Sequence, residues 1–447
     1  MIVTLLCDSQ ENLLGAMKVI NKNAKGVCFV VSSQQLLIGV LTDGDIRRAI
    51  LSGFDLDTLA SKVVDKNFIY GLMGDKVDTL ISKCNDQIQI IPLLDSDKRV
   101  VDYFEYKQSM HFPIAHPTFM GNEFKYLTDA FFSSWISSTG KYINKFETEF
   151  SDYSDCSYGV SVSNGTVALH LALISLGIGE GDEVIVPDLT FAATINAVLH
   201  ANATPVIVDI EEDSWCINPN EIEKAITSKT KAIIPVHLYG QPCDMDSIMR
   251  IANNNNLKVI EDCAEAHGST FKGKKVGSFG DIGCYSFYGN KVITTGEGGM
   301  CTTNHAEYDS KMRVLRDHGM SKSKKYWHEH IGYNYRMTNL QAAIGLAQLE
   351  RIDDIHQNRS ACETLYQKSM QNHGFHFQTK FDDRNKITWL VSVTVKNNRD
   401  EVLKLLKTNG IDARPFFFSL SDMDIYKEYS HNENVVSKKI SATGMNL

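Results

Sequence analysis

One lysine lies in a stretch of sequence that carries little other charge. The stretch SFYGNKVITTGEGGM, from Ser286 to Met300, places Lys291 after two aromatic residues and before a cluster of glycines. Most lysines of globular proteins lie on solvated surfaces. A lysine in this setting is a turn residue, a clamp for a phosphate group, or a nucleophile. A nucleophilic amine must be unprotonated, and burial favours that form. Which of these roles Lys291 has depends on the residues that the fold places around it.

Three other short segments could contribute to the same site. LKVIED ends with Asp262 at the carboxyl end of a predicted strand, where a carboxylate is either solvated or facing a ligand. VSVSNGTVALHLALISLG predicts a strand, a turn at Gly165-Thr166 and a helix, whose first N–H groups could bind an anion. Phe191 follows another strand and is either a core residue or a flat surface for a ring. An amine, an anion, a phosphate cup and a flat lid are together what pyridoxal phosphate (PLP) requires of a protein.

Long strings in the same region are similar to those of one enzyme family. They include NGT.ALHLAL, GIG.GDEVIVP, KAI.PVHLYGQ.CDMD, VIED.AEA, SF.GNK.ITTGEGGM and NYRMTN.QAAIGLAQLER. From about Phe119 to Leu447 the chain resembles the sugar aminotransferases of the DegT/DnrJ/EryC1/StrS family. The resemblance implies an α/β, aspartate-aminotransferase-like (type I) PLP fold, with a mostly parallel seven-stranded sheet and a small α+β C-terminal domain.

The resemblance assigns roles to the residues that match the family's motifs. Lys291 would bond covalently to the cofactor, Asp262 would pair with the ring nitrogen, and Glu265 would face the 3-hydroxyl. The other cofactor contacts would be Gly165, Thr166 and Ser286 at the phosphate, Phe191 on the ring, and Asn334 from the partner subunit of a homodimer with shared active sites. The weaker candidates for substrate contacts are His237, Tyr326 and Trp327.

The activity that the resemblance implies is PLP-dependent transamination. L-glutamate would supply the amino group, and a 4-keto-6-deoxy sugar nucleotide would accept it in surface polysaccharide biosynthesis, with GDP-4-keto-6-deoxymannose as the best single candidate. Another nucleotide-linked keto sugar or a small keto phosphate stays open, because Phe418 and Ser421 stand where relatives usually carry histidines near the substrate. Related dehydratases carry His in place of the lysine, so Lys291 favours amino transfer.

The elements that must hold these residues follow from an alternation of strands and helices. GDEVIVPD, TPVIVDI, TKAIIPVHLYG and LKVIEDCAEA are typical of buried strands, and helical stretches separate them. This pattern predicts a parallel sheet with ligands beyond the carboxyl ends of its strands. We expect a large PLP-binding domain over 119–355 and a small domain over 356–447. The chain stops at ATGMNL, where relatives continue, so we expect the small domain to be truncated and to expose apolar surface.

The first part of the chain contains a weak internal repeat. VVSSQQLLIGVLTDGD (Val30 to Asp45) aligns with LLDSDKRVVDYFEYKQ (Leu93 to Gln108). Residues 1–107 resemble an α+β tandem cystathionine-β-synthase (CBS) domain pair, and 108–118 are predicted to be a linker. The resemblance implies an adenine-nucleotide site at Thr42 and Asp45, whereas the second copy is degenerate, with Glu105 and Gln108 at those positions. Nucleotide sensing and dimer packing both stay open for this pair.

Composition and charge narrow the class of protein. With 447 residues, 43% of them apolar, the chain is expected to fold into two or three globular domains. A formal charge of −9 argues against a nucleic-acid partner, and no metal site is expected. We find no signal peptide and no apolar run long enough for a membrane span. Ten cysteines without a C-x-x-C pair indicate reduced thiols and a cytoplasmic protein.

Two classes of protein without catalysis are alternatives. One is a nucleotide-sensing regulatory protein whose PLP site has decayed, and the intact Lys291, Asp262 and Ser286 argue against it. The other is a PLP-binding transcription factor, but the N-terminal region lacks a helix-turn-helix pattern and basic charge.

Overall fold

A computed structural model describes residues 2–85, 87–106, 111–321, 323–371, 373–430 and 432–447. The chain divides into two compact units, Met1–His111 and Phe112–Leu447. The boundary falls within the predicted linker over 108–118, of which residues 108–110 lie outside the described part, as does Gln108 of the second repeat. In the described residues no helix is long and apolar enough to cross a membrane.

The first unit contains the same arrangement of elements twice. Its strands are β1 (Leu6–Asp8), β2 (Val27–Val31), β3 (Leu37–Thr42), β4 (Gly71–Leu72), β5 (Ile90–Leu94) and β6 (Val100–Glu105), and its helices are α1 (Leu13–Asn23), α2 (Asp43–Leu51) and α3 (Val77–Ser82). In each half a short strand pairs in parallel with a longer one, β1 with β2 and β4 with β5. The longer strand then pairs antiparallel with the third, β3 or β6.

The two halves of this unit contact each other reciprocally. The N–H of Val100 donates to the carbonyl of Gln35 (3.0 Å), and the N–H of Leu37 donates to that of Lys98 (3.4 Å). Gln35 and Lys98 occupy equivalent turns, both in the left-handed region with φ of 63° and 64°. The register irregularity of the first hairpin, after Val30, also recurs in the second. The structure therefore confirms the internal repeat predicted from the sequence.

The second unit is built from alternating strands and helices. Its strands are β7 (Tyr158–Val162), β8 (Glu183–Pro187), β9 (Thr204–Val208), β10 (Thr230–Ile233), β11 (Lys258–Asp262), β12 (Thr270–Phe271), β13 (Lys274–Lys275), β14 (Ile282–Ser286), β15 (Gly299–Thr303), β16 (Phe375–Phe377), β17 (Arg384–Asn385), β18 (Ser392–Val395), β19 (Arg414–Pro415) and β20 (Gly444–Asn446). Its helices are α4 (Glu123–Phe132), α5 (Lys141–Tyr153), α6 (Gly165–Ser175), α7 (Ala193–His200), α8 (Pro219–Ala225), α9 (Met245–Asn254), α10 (Ala306–Arg316), α11 (Asn339–Leu349), α12 (Ile352–Met370), α13 (Arg399–Thr408) and α14 (Val435–Thr443).

A seven-stranded sheet forms the centre of this unit, in the order β7-β15-β14-β11-β10-β8-β9. Strands β14, β11, β10, β8 and β9 pair in parallel, and β15 runs antiparallel to both of its neighbours. Helix α6 packs on the sheet and is apolar on every side, which is typical of a helix buried in a core. The mostly parallel seven-stranded sheet predicted from the sequence is confirmed.

A four-stranded antiparallel sheet, β16-β18-β20-β19, forms a smaller layer near the C-terminus. Helix α12 is continuous through the predicted domain boundary at 355/356, so that boundary falls inside a helix. Strand β20 lies between β18 and β19, and Met445 within it is fully buried. These final residues cover the core of this sheet, whereas other parts of the small domain do expose large apolar side chains, such as Leu405 and Ile425.

Candidate active site

The carboxyl edge of the seven-stranded sheet borders a cavity of about 970 Å³. Strands β8, β11 and β14 end at this edge, and α6 begins there after β7. Most of the predicted cofactor residues line the cavity, namely Gly165, Thr166, Phe191, Asp262, Glu265, Ser286 and Lys291. The fold therefore brings together segments that are distant in the sequence.

Lys291 follows β14 in a short turn, and its side chain is only 12% exposed. Its N–H donates to the carbonyl of Tyr288 (2.9 Å). Its Nζ lies 3.6 Å from Oε1 of Glu265 and 4.0 Å from the centroid of the Trp389 ring. Of the three roles considered for this lysine, the surface turn residue is excluded by burial, and an amine facing a cavity is what a nucleophile needs.

Asp262 is a buried carboxylate that hydrogen bonds fix at the end of β11. Its Oδ1 accepts from the N–H of Ala264 (3.1 Å), and its Oδ2 accepts from the hydroxyl of Thr194 (2.9 Å). The Thr194 hydroxyl is in turn 3.0 Å from that of Thr190. Burial raises the pKa of Asp262, whereas these hydrogen bonds and the nearby Lys291 charge act in the opposite direction. Asp262 is thus oriented to pair with a cationic group in the cavity.

Glu265 is the second buried carboxylate of the cavity. Its Oε2 accepts from the N–H of Tyr239 (2.8 Å), a residue held in the left-handed region with φ of 54°. Burial raises the pKa of Glu265 to about 7, and the opposing effect of Lys291 does not cancel that rise. Glu265 can therefore exchange a proton near neutral pH.

The start of α6 and the end of β14 form a narrow cradle. Asn164 caps α6 by accepting from the N–H of Val167 (3.0 Å). A Cβ on Gly165 would lie 2.8 Å from the Cβ of Ser286, so only glycine allows this approach. N–H groups at a helix start and a neighbouring hydroxyl are suited to a phosphate. Together with the amine of Lys291 and the Asp262 carboxylate, this donor set fits PLP.

Phe191 borders the cavity from the segment between β8 and α7. Its side chain is 59% exposed, and its ring centroid lies 5.7 Å from that of Phe417. Of the two roles left open by the sequence, this exposure argues against a core residue, and stacking on a ring stays a prediction.

His237 is not brought to the cavity. It is fully buried, with Nε2 3.1 Å from Oε2 of Glu261, and Nδ1 accepts from the N–H of Cys243 (3.1 Å). Since Nδ1 accepts, Nε2 carries the proton and donates to Glu261. Glu261 also accepts at 2.7 Å from the N–H groups of Gly277, Phe279 and Gly280. His237 and Glu261 are therefore a hydrogen-bonded pair in the core, and the expected substrate contact of His237 is not supported.

Tyr326, Trp327 and Asn334 lie outside the cavity wall of a single chain. Tyr326 and Trp327 are 77% and 55% exposed, and Nζ of Lys324 lies 4.0 Å from the centroid of the Trp327 ring. Asn334 is exposed and pairs with Asp317 in an isolated bridge. Its neighbours Tyr333 and Tyr335 do line the cavity.

Several residues of this cavity were missed by the sequence analysis. They are Thr190 and Tyr288, which are close in sequence to predicted site residues, and Trp389, Arg414, Phe417 and Asn446, which come from more distant segments. Thr190 has a local signal, because it lies one residue before Phe191 and follows the strand end. Trp389 and Arg414 have none, since only the fold places them opposite the sheet edge.

In the first unit, Thr42 and Asp45 bind each other. The Thr42 hydroxyl donates to Oδ2 of Asp45 (2.6 Å), and the N–H of Asp45 donates back to the hydroxyl (3.2 Å). The pair forms a capping box at the start of α2, and Arg48 contacts the other Asp45 oxygen. At the equivalent position of the second copy, Glu105 accepts from Nζ of Lys25 (2.5 Å).

The sequence profile of the DegT/DnrJ/EryC1/StrS aminotransferase family matches residues 117–447. This chain belongs to that aminotransferase family. GDP-perosamine synthase from Escherichia coli O157:H7 is 45% identical over 339 residues, which are 75% of this chain and 93% of the relative. The aminotransferase from Psychrobacter cryohalolentis is 35% identical with a TM-score of 0.70, covering 76% of this chain and 93% of that one. Spr1654 from Streptococcus pneumoniae, in its PLP form, is 28% identical with a TM-score of 0.72, covering 76% and 93%.

PLP is the cofactor of this aminotransferase family. When bound, it supplies an electron sink for the carbon that exchanges its amino group. The residues that would hold it are Lys291, Asp262, Glu265, Ser286, Phe191 and the Gly165-Thr166 turn. The fold and the family match thus agree with the PLP-dependent transaminase activity that was expected from the sequence.

Proposed function

We propose that this aminotransferase moves the amino group of L-glutamate to GDP-4-keto-6-deoxymannose and so makes GDP-perosamine for a surface polysaccharide. The observation that carries the proposal is the likeness to GDP-perosamine synthase over the whole catalytic region. The retained Lys291, Asp262 and Glu265 in one cavity support an active enzyme rather than a decayed regulatory site.

The residues of the cavity divide the work of amino transfer. Lys291 would hold the cofactor and, once displaced from it, its Nζ would act as base and acid in turn. Asp262 would pair with the ring nitrogen, because Thr194 and Ala264 keep its carboxylate oriented. Glu265 stabilises the cationic form of Lys291 across 3.6 Å. Phe191, which lines the cavity, would cover one side of the ring.

The segment that departs from relatives is anchored to the sheet edge. Ser421 donates to Asp188 through its N–H (2.7 Å) and its hydroxyl (3.0 Å), so it has a structural contact. Phe417 lines the cavity, whereas Phe418 is 58% exposed. This aromatic segment replaces the histidines expected near the substrate, which is why another nucleotide-linked keto sugar is the alternative.

A substrate panel tests the proposal. Purified protein is incubated with ¹⁵N-glutamate and GDP-, dTDP- or UDP-linked keto sugars, or a small keto phosphate, and ¹⁵N in the product is measured. We expect the highest kcat/KM for GDP-4-keto-6-deoxymannose. A higher value for another acceptor would replace that substrate, and no transfer to any acceptor would contradict the aminotransferase activity itself.

We also propose a homodimer with shared active sites. Helix α4 and the turn after it expose several large apolar side chains: Phe124, Phe131, Phe132, Trp135 and Ile136. An apolar patch of this kind is costly to hydrate on a single chain and is typical of a protein interface. Exposed Asn334, between two tyrosines that line the cavity, is placed where it could serve a second chain.

Mixed dimers test the sharing of sites. Lys291→Ala and Asn334→Ala are each expected to be inactive as homodimers. In a mixed dimer one site would keep both Lys291 and the partner's Asn334, so mixing should restore activity. Failure of mixing to restore activity, in a sample shown to contain mixed dimers, would contradict a shared site.

For the first unit we propose a CBS-like pair, supported by its internal repeat. Thr42 and Asp45 already satisfy each other, so an adenine nucleotide would have to replace the bonds of a capping box. Calorimetric titration with AMP and ATP, with Thr42→Val as the control, distinguishes the two roles. Binding that Thr42→Val removes supports sensing, and no heat of binding supports packing alone.

We propose a cytoplasmic location. All ten cysteines are free thiols, although Cys284 and Cys301 lie directly opposite each other on paired strands. Free thiols in such proximity are typical of a reducing compartment. Cell fractionation would test this, and recovery in an exported fraction would contradict it.

A further inference from the structure

The amine of Lys291 lies between a carboxylate and an indole face. Oε1 of Glu265 is 3.6 Å from Nζ, and the centroid of the Trp389 ring is 4.0 Å from it. Trp389 lines the cavity and is only 5% exposed. A buried ring face at this distance attracts an ammonium group through its quadrupole.

Trp389 is fixed to the backbone around Lys291 by two hydrogen-bonding groups. The indole N–H of Trp389 donates to the carbonyl of Asn290 (2.8 Å). The guanidinium of Arg359, on α12, donates to the carbonyl of Trp389 and to the carbonyl of Lys291 (3.3 Å). The indole and the lysine therefore keep one relative position even though they come from distant segments.

Tyr239 joins the two groups that face the amine. Its N–H donates to Glu265 (2.8 Å), and its ring stacks on that of Trp389, with centroids 6.1 Å apart and an angle of 18° between the planes. Tyr239 is fully buried. The carboxylate and the indole are thus parts of one rigid frame around Nζ.

We propose that the Trp389 face holds the ammonium form of Lys291 while the lysine is free of the cofactor, which makes Trp389 a positioning residue for amino transfer. The inference rests on the proposed function, in which the amino donor displaces Lys291. The freed amine would accept a proton, become an ammonium and later release that proton. Between the two transfers the indole and Glu265 would hold the ammonium in its place in the cavity.

Other charged groups near Lys291 must be kept constant in a test. They are the carboxyl groups of Asp262 and Glu265, the guanidinium of Arg359 at the lysine carbonyl, and His267, whose pKa burial lowers to about 3 so that it is neutral. A change confined to Trp389 leaves these groups in place, so they are common to the wild type and to the Trp389 variants.

The first test measures how pH controls acylation of Lys291. Cofactor-free protein is pulsed with acetic anhydride over a pH series, and the Lys291 peptide is quantified by mass spectrometry, with exposed Lys224 as the internal reference. In Trp389→Leu we expect the pH midpoint of acylation to fall by about 0.5 to 1 unit. Trp389→Phe retains an aromatic face and should stay near the wild-type midpoint. No fall in Trp389→Leu, or an equal fall in Trp389→Phe, would overturn the proposal.

A second measurement needs no change at Trp389 in the measured protein and so does not depend on how that variant folds. The protein is labelled with 5-fluorotryptophan, and Trp389→Phe serves only to assign one of the four ¹⁹F resonances. We expect this resonance to titrate with pH in the wild type and to lose that titration in Lys291→Met. A resonance that does not titrate, or titrates equally in Lys291→Met, would count against the contact. Neither measurement uses PLP, so loss of the proposed function, shown by active Lys291→Ala, would be distinguishable from failure of this inference.

Discussion

Asp262 is a carboxyl group whose burial opposes its charged form. Burial raises the pKa of its carboxyl, and the hydrogen bonds from Ala264 and Thr194, with the Lys291 charge, lower it. A cationic ring nitrogen placed against this carboxylate would add a further stabilising partner. Without these donors, burial would raise the pKa of this carboxyl further and weaken its pairing with a cationic ring nitrogen.

The substitution Asp262→Asn, which replaces the carboxylate by a neutral amide of the same shape, tests the role of the charge. In Asp262→Asn the shape and the contact with Thr194 are retained, but the charge is lost. We expect the protein to bind PLP while kcat falls by about 100-fold or more, since a charge that stabilises the reacting state is removed. Thr194→Val, which removes one hydrogen bond to the carboxylate, should cause a smaller fall. Unchanged turnover in Asp262→Asn would contradict the assignment.

The raised pKa of Glu265 predicts that the stability of the folded protein depends on pH. Its pKa is about 7 in the folded protein and about 4.5 in the unfolded chain, so the folded state binds more protons between these values. The free energy of unfolding of cofactor-free protein should therefore decrease as pH rises from about 4.5 to 7, by up to about 3 kcal/mol from this group.

Glu265→Gln cannot titrate and is the matched control. Denaturant unfolding at several pH values should give a flatter curve for this variant than for the wild type. Parallel curves for the two proteins would show that Glu265 titrates normally.

At the scale of single residues, the sequence predicts where a strand ends better than it predicts which way a side chain points. Asp262, Lys291 and the Gly165-Thr166 turn lie in the cavity as expected, because each follows a strand whose carboxyl end meets the others. His237 also follows a strand, yet it faces Glu261 in the core. Glu261 and Asp262 are successive residues of β11, so their side chains point to opposite faces of the sheet, and His237 contacts the face that carries Glu261. A shift of one residue in register would exchange the two faces.

At the scale of elements, the cradle depends on how closely α6 approaches β14. Gly165 is at the start of α6, and Ser286 is the last residue of β14. A methyl group at Gly165 would come 2.8 Å from the Cβ of Ser286, which is too close without a shift of one element.

Gly165→Ala tests the cradle. We expect the dissociation constant for PLP to rise about tenfold or more because the helix start must move away from β14. Gly179→Ala is the control, since its added Cβ would find its nearest neighbour at an ordinary 3.5 Å. Fluorescence titration with PLP measures both variants, and equal affinities would contradict the cradle.

Strands and helices of the large sheet were predictable because their apolar runs are long and regular. The boundary placed at 355/356 was not, since α12 carries no sequence signal for a break there and continues through it. Trp389 and Arg359 also escaped prediction. Their contact with Lys291 exists only after α12 and the β17–β18 segment pack against the turn that follows β14.

At the scale of the whole molecule, the two units have separate cores. The clusters around Leu13 and Phe29 contain only residues of the first unit, and those around Phe146 and Ile260 only residues of the second. The relative from E. coli aligns with 93% of its length to this chain, and the family match begins at residue 117. The internal repeat of the first unit was visible in the sequence, whereas its role was not.

Removal of residues 1–111 tests the independence of the units. We expect the shortened protein to fold and to keep kcat within about threefold of the full chain, because the catalytic core lies in the second unit. Circular dichroism and the rate of ¹⁵N transfer from glutamate measure this. A shortened protein that is folded but inactive would indicate that the first unit is needed for catalysis.

The most direct test of the account is the site at which the protein bonds to PLP. Holoenzyme is reduced with borohydride, digested, and searched by mass spectrometry for the phosphopyridoxyl group. We expect the group on Lys291, and we expect prior addition of glutamate to abolish the labelling because the donor displaces this lysine. A label on another lysine, or labelling of Lys291 that glutamate does not change, would contradict the central claim.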